Sequence, residues 1–391
     1  MIRFYTKYSK KIIKWFNGEL FEMNEHFIAD ITSKITEFSN KLLIGKPSIP
    51  SDGYKYLSLY SGGGSIYYGR SDLSYYKNII TLLIENPEIS TFWSRKTISK
   101  KLDDLLIKIA GNEKANKKVY DCNVTIVTNW LKEFNVKFKE KEYLVPIHGI
   151  SIESSLKLGR VEFFPLQQKI ELIGNSFPEI ISKRINKSRY CFASMMIALE
   201  KNKSIEILRE ESEKSLQVLR YISSLIYFNQ PIRHIYLSGS EPEGIFDTYI
   251  LGENNIVEFS GDSLFSPVPF KIDEKILQIA KYIYKLDYIS EILIKEKPTQ
   301  IEKKLISGLI WFGNATQDLN PLTAFIKNYI SLESIFKKNE EKARNVLPKR
   351  ISLLLEPHDK DQYDEKKKQL ENLIDERNAV FHEGSTEKET P

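Results

Sequence analysis

Arg377, Asn378 and His382 stand close together in the segment "IDERNAVFHEG", residues 374–384 of a 391-residue chain. Arginine carries a permanent charge and a planar fork of donors that fits phosphate oxygens. Histidine, with an unperturbed pKa of about 6.5, gives and takes a proton near neutrality. The pair therefore suits chemistry at a phosphate ester. Wound at about 3.6 residues per turn, "DEKKKQLENLIDERNAVFHEG" gathers Leu370, Leu373, Ile374, Val380 and Phe381 on one face. Arg377 falls in the middle of that face. Asn378 and His382, four apart, share its shoulder with Glu371 and Asp375 nearby. The segment "NPLTAFIKNYISLESIF" makes a similar stripe from Leu322, Phe325, Ile326, Tyr329 and Phe336, and Glu333 lies inside it. Breaking a buried ion pair costs about 3–5 kcal/mol, so two opposite charges on apolar faces are expected to meet each other or a polar seam. Two readings stand: Arg377 and Glu333 form a structural pair with His382 complementing a helix dipole, or Arg, Asn and His converge on a phosphate.

The elements that must hold these residues are helices. Beyond Ser266 the pattern turns helical, with "DEKILQIAKYIYKLDYISEILI" expected as one long amphipathic helix broken by "KEKPTQ". Four further helices are expected at 299–317, 320–338, 343–355 and 362–382, and their short connections favour an antiparallel bundle. Upstream, residues 118–166 read as strands and turns, including "YDCNVTIVTNW", "NVKFKEKEYLVPI" and "GRVEFFPL". "YCFASMMIALE" reads as a buried strand, "SIEILREESEKSLQVLRYISSLIYF" as a helix with a Ser cap, and "RHIYLSGS", "GIFDTYILG" and "NIVEFSG" as a meander. The fold class expected is α+β: a mixed α/β N-terminal region with strand meanders over 1–295, with a possible subdomain break near 170–190, then an antiparallel helical bundle over 296–391 ending in a short loose tail.

Composition sets bounds without choosing a function. The chain is 41% hydrophobic and 28% charged, a globular balance, and its length suits two or three domains. A formal charge of +5 is too mild to announce nucleic-acid binding, so any such site must be local. Cys122 and Cys191 lie far apart and offer neither a disulfide framework nor a zinc spacing, which fits a reducing cytoplasm. The basic, aromatic N-terminus lacks a signal-peptide core and no segment is long enough to span a bilayer, so a cytoplasmic protein without membrane partners is expected.

The run "RNAVFH" resembles the arginine, short spacer, histidine signature of HEPN domains, with a polar residue directly after the arginine. The preceding "LIWFGNATQDLNPLTAFIKNYISLESIF" is similar to the second half of the bundle in the ApeA-like HEPN branch of bacterial anti-phage proteins. The resemblance covers roughly residues 298–385, about a quarter of the chain, and fits "SIEILREESEKSLQVLRYISSL" less specifically. It implies a homodimer whose two motif helices form one metal-independent ribonuclease site, with no cofactor. It further implies His382 as general base or acid, Arg377 on the scissile phosphate, Asn378 orienting His382 or the phosphate, and Glu333 holding Arg377. The products would be a 2′,3′-cyclic phosphate and a 5′-hydroxyl. RNA, with transfer RNA the suggested substrate, would be the partner, and residues 1–295 would sense a phage-derived trigger, restrain the nuclease or select the RNA. The chain departs from the resemblance in ending nine residues after His382. The alternative is a non-catalytic HEPN-like dimerisation or RNA-binding module.

For the RNA path, "KKNEEKARNVLPKR" carries Lys337, Lys338, Lys342, Arg344, Lys349 and Arg350, a cluster that could grip phosphates or simply face solvent. The lysines of 95–118 are a second basic stretch. Within the Gly-rich loop 61–71, "GSIYYGRS" (64–71) imitates phosphate-loop spacing with Arg70 in place of the lysine, but no β/α alternation follows, and a turn or ligand loop is expected. "EPHDKDQYDE" offers His358, Asp359, Asp361 and Asp364 without calcium-loop or zinc spacing, and reads as a polar interhelical loop.

Overall fold

The computed structural model of the chain describes residues 24–39, 43–45, 54–58, 65–69, 72–111, 124–165, 191–227, 235–237, 247–251, 257–261, 269–318 and 320–383, with 43–45, 54–58, 65–69, 110–111, 247–251, 257–261 and 379–383 described by their backbone alone. A mixed region of strands and helices is followed by a mostly helical one, an α+β arrangement. The chain divides into two compact units, Met1–Tyr143 with Met196–Ile207, and Leu144–Met195 with Leu208–Pro391.

The first unit contains helices α1 (Glu25–Ser39), α2 (Leu73–Glu85), α3 (Pro87–Ser90), α4 (Arg95–Gly111) and α5 (Val124–Lys132). Ile31, Ile35, Phe38, Leu83, Leu102, Leu106, Val127, Trp130 and Phe134 form its core. Strands β1 (Leu43–Gly45), β2 (Tyr54–Ser58) and β3 (Ser65–Gly69) make an antiparallel sheet in the order β1-β3-β2. Residues 65–69 of the segment that imitates a phosphate loop therefore form an antiparallel strand, while 59–64, Arg70 and Ser71 lie outside the described residues. Helix α5 corrects the sequence reading, which took "YDCNVTIVTNW" for a strand. Its β-branched residues favour strands locally, yet Val127, Trp130 and Leu131 recur at helical spacing and are buried. Helix α6 (Lys201–Ile226) begins in this unit and is capped by Glu200 rather than by a serine: the carboxylate accepts from the backbone N–H of Asn202 (2.9 Å) and Lys203 (3.0 Å).

The second unit is built on a five-stranded sheet of β4 (Lys141–His148), β6 (Leu156–Leu158), β7 (Val161–Pro165), β8 (Cys191–Ile197) and β9 (Tyr236–Leu237), in the order β6-β7-β8-β4-β9. Strand β5 (Ile150–Ile152) pairs in parallel with β12 (Phe270–Ile272), and β10 (Asp247–Leu251) with β11 (Val257–Gly261) as a hairpin. Strand β12 corrects the expectation that everything past Ser266 is helical. Its Phe270 and Ile272 alternate inward around an exposed Lys271.

Six helices follow: α7 (Glu274–Tyr282), α8 (Leu286–Ile294), α9 (Gln300–Thr316), α10 (Pro321–Phe336), α11 (Ala343–Leu355) and α12 (Lys360–Glu383). The first two were expected as one helix. Lys285 adopts a left-handed φ of 55° and splits them, turning the chain so that Leu286, Ile289 and Ile292 are buried. Helix α9 starts with a capping box between Thr299 and Glu302, and α10 starts with Asn320 accepting from Leu322 and Thr323 ahead of Pro321 at the first turn. Helices α9 and α10 approach closely because Gly308 has no side chain: a Cβ there would lie 2.5 Å from Ile335 Cγ1. In the same contact Ser331 Oγ donates to Gly308 O at 2.8 Å. Tyr329, Leu347, Ile351 and Ile374 form a small core joining α10, α11 and α12. Among the described residues no helix is long and apolar enough to cross a membrane.

Candidate functional site

Helices α10 and α12 bring the chemistry-bearing residues together. Arg377 lies half-buried on α12 with its guanidinium carbon 5.1 Å from the centre of the Tyr329 ring on α10, a cation–π contact. Its Nη1 donates to Oδ1 of the adjacent Asn378 at 3.1 Å. Tyr329 is only 4% exposed, and burial first, then the charge of Glu333, raises its phenol above the ordinary value while Arg377 opposes the shift. Glu333 and Arg377 thus both act on one phenol, from the two helices on which the sequence placed them. His382 occupies a backbone position one turn beyond Asn378 on α12, and its side chain lies outside the described residues.

The six basic residues expected on RNA divide by role. Arg350 is committed to structure. It grips Glu341 with both Nη atoms (2.6 and 2.7 Å) and donates to the Phe336 carbonyl at the end of α10 (2.6 Å). That fork holds the Glu341 carboxyl down at about 2, with the Lys338 backbone N–H helping. Arg344 reaches from α11 to Asp375 on α12 at 3.1 Å, both side chains being exposed. Lys342 and Lys349 are exposed. Lys337 and Lys338 line a cleft of about 340 Å³ together with Lys303, Lys304, Ser307 and Glu333. The sequence reading missed Lys303 and Lys304, because only the pairing of α9 with α10 brings them next to Lys337.

The other singled-out residues fall elsewhere. Lys101 of the 95–118 stretch pairs with Glu133 at 3.1 Å and lies 5.0 Å from the Trp93 ring centre, a local structural use. Residues 112–118 are outside the described ones. Asp359 accepts from the backbone N–H of Asp361 and Gln362, each at 3.0 Å, and so caps α12. Cys191 is buried, and desolvation pushes its thiol up to about 12, far from a thiolate at neutral pH. Comparison with protein-family models, curated proteins and solved structures returns no match to this chain.

Proposed function

We propose that the chain is a metal-independent endoribonuclease of the HEPN type, working as a homodimer in the cytoplasm and acting against phage, with transfer RNA as substrate. The observation that carries this reading is Arg377, seated on the Tyr329 ring with Asn378 on its Nη1, in the helix whose final turn holds His382. A guanidinium held from one face by an aromatic ring is restricted in orientation before substrate arrives, which is what electrostatic stabilisation of a phosphoryl transition state requires. His382 takes the proton from a ribose 2′-hydroxyl, and the freed oxygen attacks the adjacent phosphorus while Arg377 neutralises the charge growing on the phosphate oxygens. The 5′-oxygen leaves and receives a proton from His382 of the second copy, giving a 2′,3′-cyclic phosphate and a 5′-hydroxyl. Asn378 fixes the guanidinium edge.

The test is incubation of the purified chain with total transfer RNA in excess EDTA. The wild type is expected to give cyclic-phosphate ends, and Arg377→Ala and His382→Ala to lose cleavage by a hundredfold or more, on the order of the 10²–10⁴ that general acid–base groups supply, with their circular dichroism unchanged. Undiminished cleavage by His382→Ala overturns the proposal. The same Arg377–Tyr329 contact favours a second reading, in which Arg377 pins α12 to α10 in a non-catalytic RNA-binding or dimerisation module. Intact but retarded RNA in the same assay is its signature.

A further inference from the structure

We propose that the cleft between α9 and the C-terminal end of α10 binds a phosphate ester that carries a neighbouring hydroxyl. Four lysines, Lys303, Lys304, Lys337 and Lys338, surround it, and Glu333 is the one carboxylate among the described residues on its wall. Ser307 and Ser334 add neutral hydroxyls. Like charges gathered this closely repel, and an anion bound among them relieves that repulsion. The cleft's volume of about 340 Å³ lies at the small end for small-molecule sites. Ammonium groups take phosphate oxygens as point charges without demanding one planar geometry. The carboxylate accepts, so a ligand hydroxyl beside the phosphate gives it a donor and favours a hydroxylated ester over a bare phosphate.

The cleft is built and not a chance scatter of surface lysines. Lys304 Nζ donates to the Lys337 carbonyl, tying α9 to the end of α10, and the close approach at Gly308 fixes the two helices one turn further along. Glu333 also connects it to the arginine: Tyr329, which carries Arg377, is one turn before Glu333 on α10, where side chains about 5–6 Å apart are neighbours. A strand with one phosphate in the cleft would lead its neighbouring phosphate toward Arg377; that clause alone rests on the ribonuclease reading.

Two sources supply this chemistry, a free mononucleotide and a nucleotide within an RNA strand, and the experiment separates them. The full-length His382→Ala protein in EDTA is titrated with adenosine monophosphate by calorimetry and with a short fluorescent single-stranded RNA by anisotropy. The comparison protein adds Lys303→Glu and Lys338→Glu, both at exposed positions. The double reversal is expected to weaken binding of at least one probe by about tenfold or more. Loss for RNA alone assigns the cleft to a strand, and loss for both assigns it to the nucleotide unit itself. Equal affinities with and without the reversal, or no binding of either probe, overturn the proposal. Cleavage plays no part in this readout, so failure of the ribonuclease reading leaves it standing.

Discussion

Arg377 is held by a ring, and on the ribonuclease reading that would make Tyr329 a positioning residue rather than a passive core side chain. Contacts of this kind are worth about 0.5–2 kcal/mol, or roughly 2- to 30-fold in rate if the arginine must be in place for chemistry. Tyr329→Phe keeps the ring and is expected to leave cleavage within about threefold of wild type, whereas Tyr329→Leu is expected to lower it across that range. Equal losses in the two variants, measured on transfer RNA alongside thermal melts, would tie Tyr329 to its hydroxyl instead. A second residue-scale prediction comes from Glu341. Its carboxyl is depressed from 4.5 to about 2 by the Arg350 fork, so the pair stabilises the native state fully above pH 4.5 and loses that effect as pH falls toward about 2. Melting temperatures of wild type and Glu341→Gln should differ at pH 6 and converge as the pH falls through that window. The gap will be small, since solvent screens the pair. Both charges on α10 and α12 were legible in the sequence, because Arg377 and Glu333 interrupt stripes whose neighbours are apolar. What periodicity hides is the partner: Tyr329 was visible as a member of a stripe, not as the ring beneath the guanidinium. The same limit applies to Arg350 and Arg344, which the sequence shows as members of one basic cluster without pairing them to Glu341, supplied by a turn, or to Asp375, supplied by a different helix.

Helix ends with chemical caps are the elements that sequence defines best. The expected spans 299–317, 320–338 and 343–355 stand beside Gln300–Thr316, Pro321–Phe336 and Ala343–Leu355 in the structure. Thr299 with Glu302, and Asn320 with Pro321, satisfy backbone donors that a helix start otherwise leaves bare. Ala343–Leu355 matches its expected span although Lys342 makes no side-chain cap, but other elements without such signals were misread. Helix α5 is rich in β-branched residues, and the break at Lys285 is marked by neither glycine nor proline, because packing of Leu286 and Ile289 rather than local propensity imposes the left-handed turn. Close packing in the second unit gives an element-scale prediction. Gly313 on α9 faces α6, where an added Cβ would sit 2.7 Å from the Gln217 carbonyl oxygen and 2.8 Å from its Cα. Backbone does not move aside as a side chain does. Gln217 also donates to Asn314 Oδ1 at 2.8 Å and to Glu213 at 2.7 Å, and Glu213 holds the buried Arg220, so displacement of α9 would disturb a polar network. Gly313→Ala is therefore expected to destabilise the protein by about 1–3 kcal/mol, read by urea denaturation. A neutral or stabilising result would show that α9 and α6 can separate at little cost.

At the scale of the whole molecule, the proposed chemistry demands two chains. One protomer brings His382 and Arg377 from a single α12, but proton removal from the attacking hydroxyl and proton delivery to the leaving oxygen call for a base and an acid on opposite sides of one phosphate, and on the ribonuclease reading the second of these is His382 of a partner copy. The alternation of acid and base roles is thus the physical reason for the homodimer that the resemblance implies, and it fixes the concentration dependence of the reaction. If monomers are inactive, activity per chain must fall on dilution through the dimer dissociation constant, and the rate must rise with the square of protein concentration well below it. Cleavage of transfer RNA measured over a dilution series, with sedimentation velocity at matching concentrations, tests this directly. Mixing Arg377→Ala with wild type in excess supplies the second arm: wild-type chains captured in mixed dimers should lose activity. Constant specific activity across a range in which sedimentation shows only monomer would place both proton transfers within one chain, and would require a second acid from elsewhere on α10 or α12.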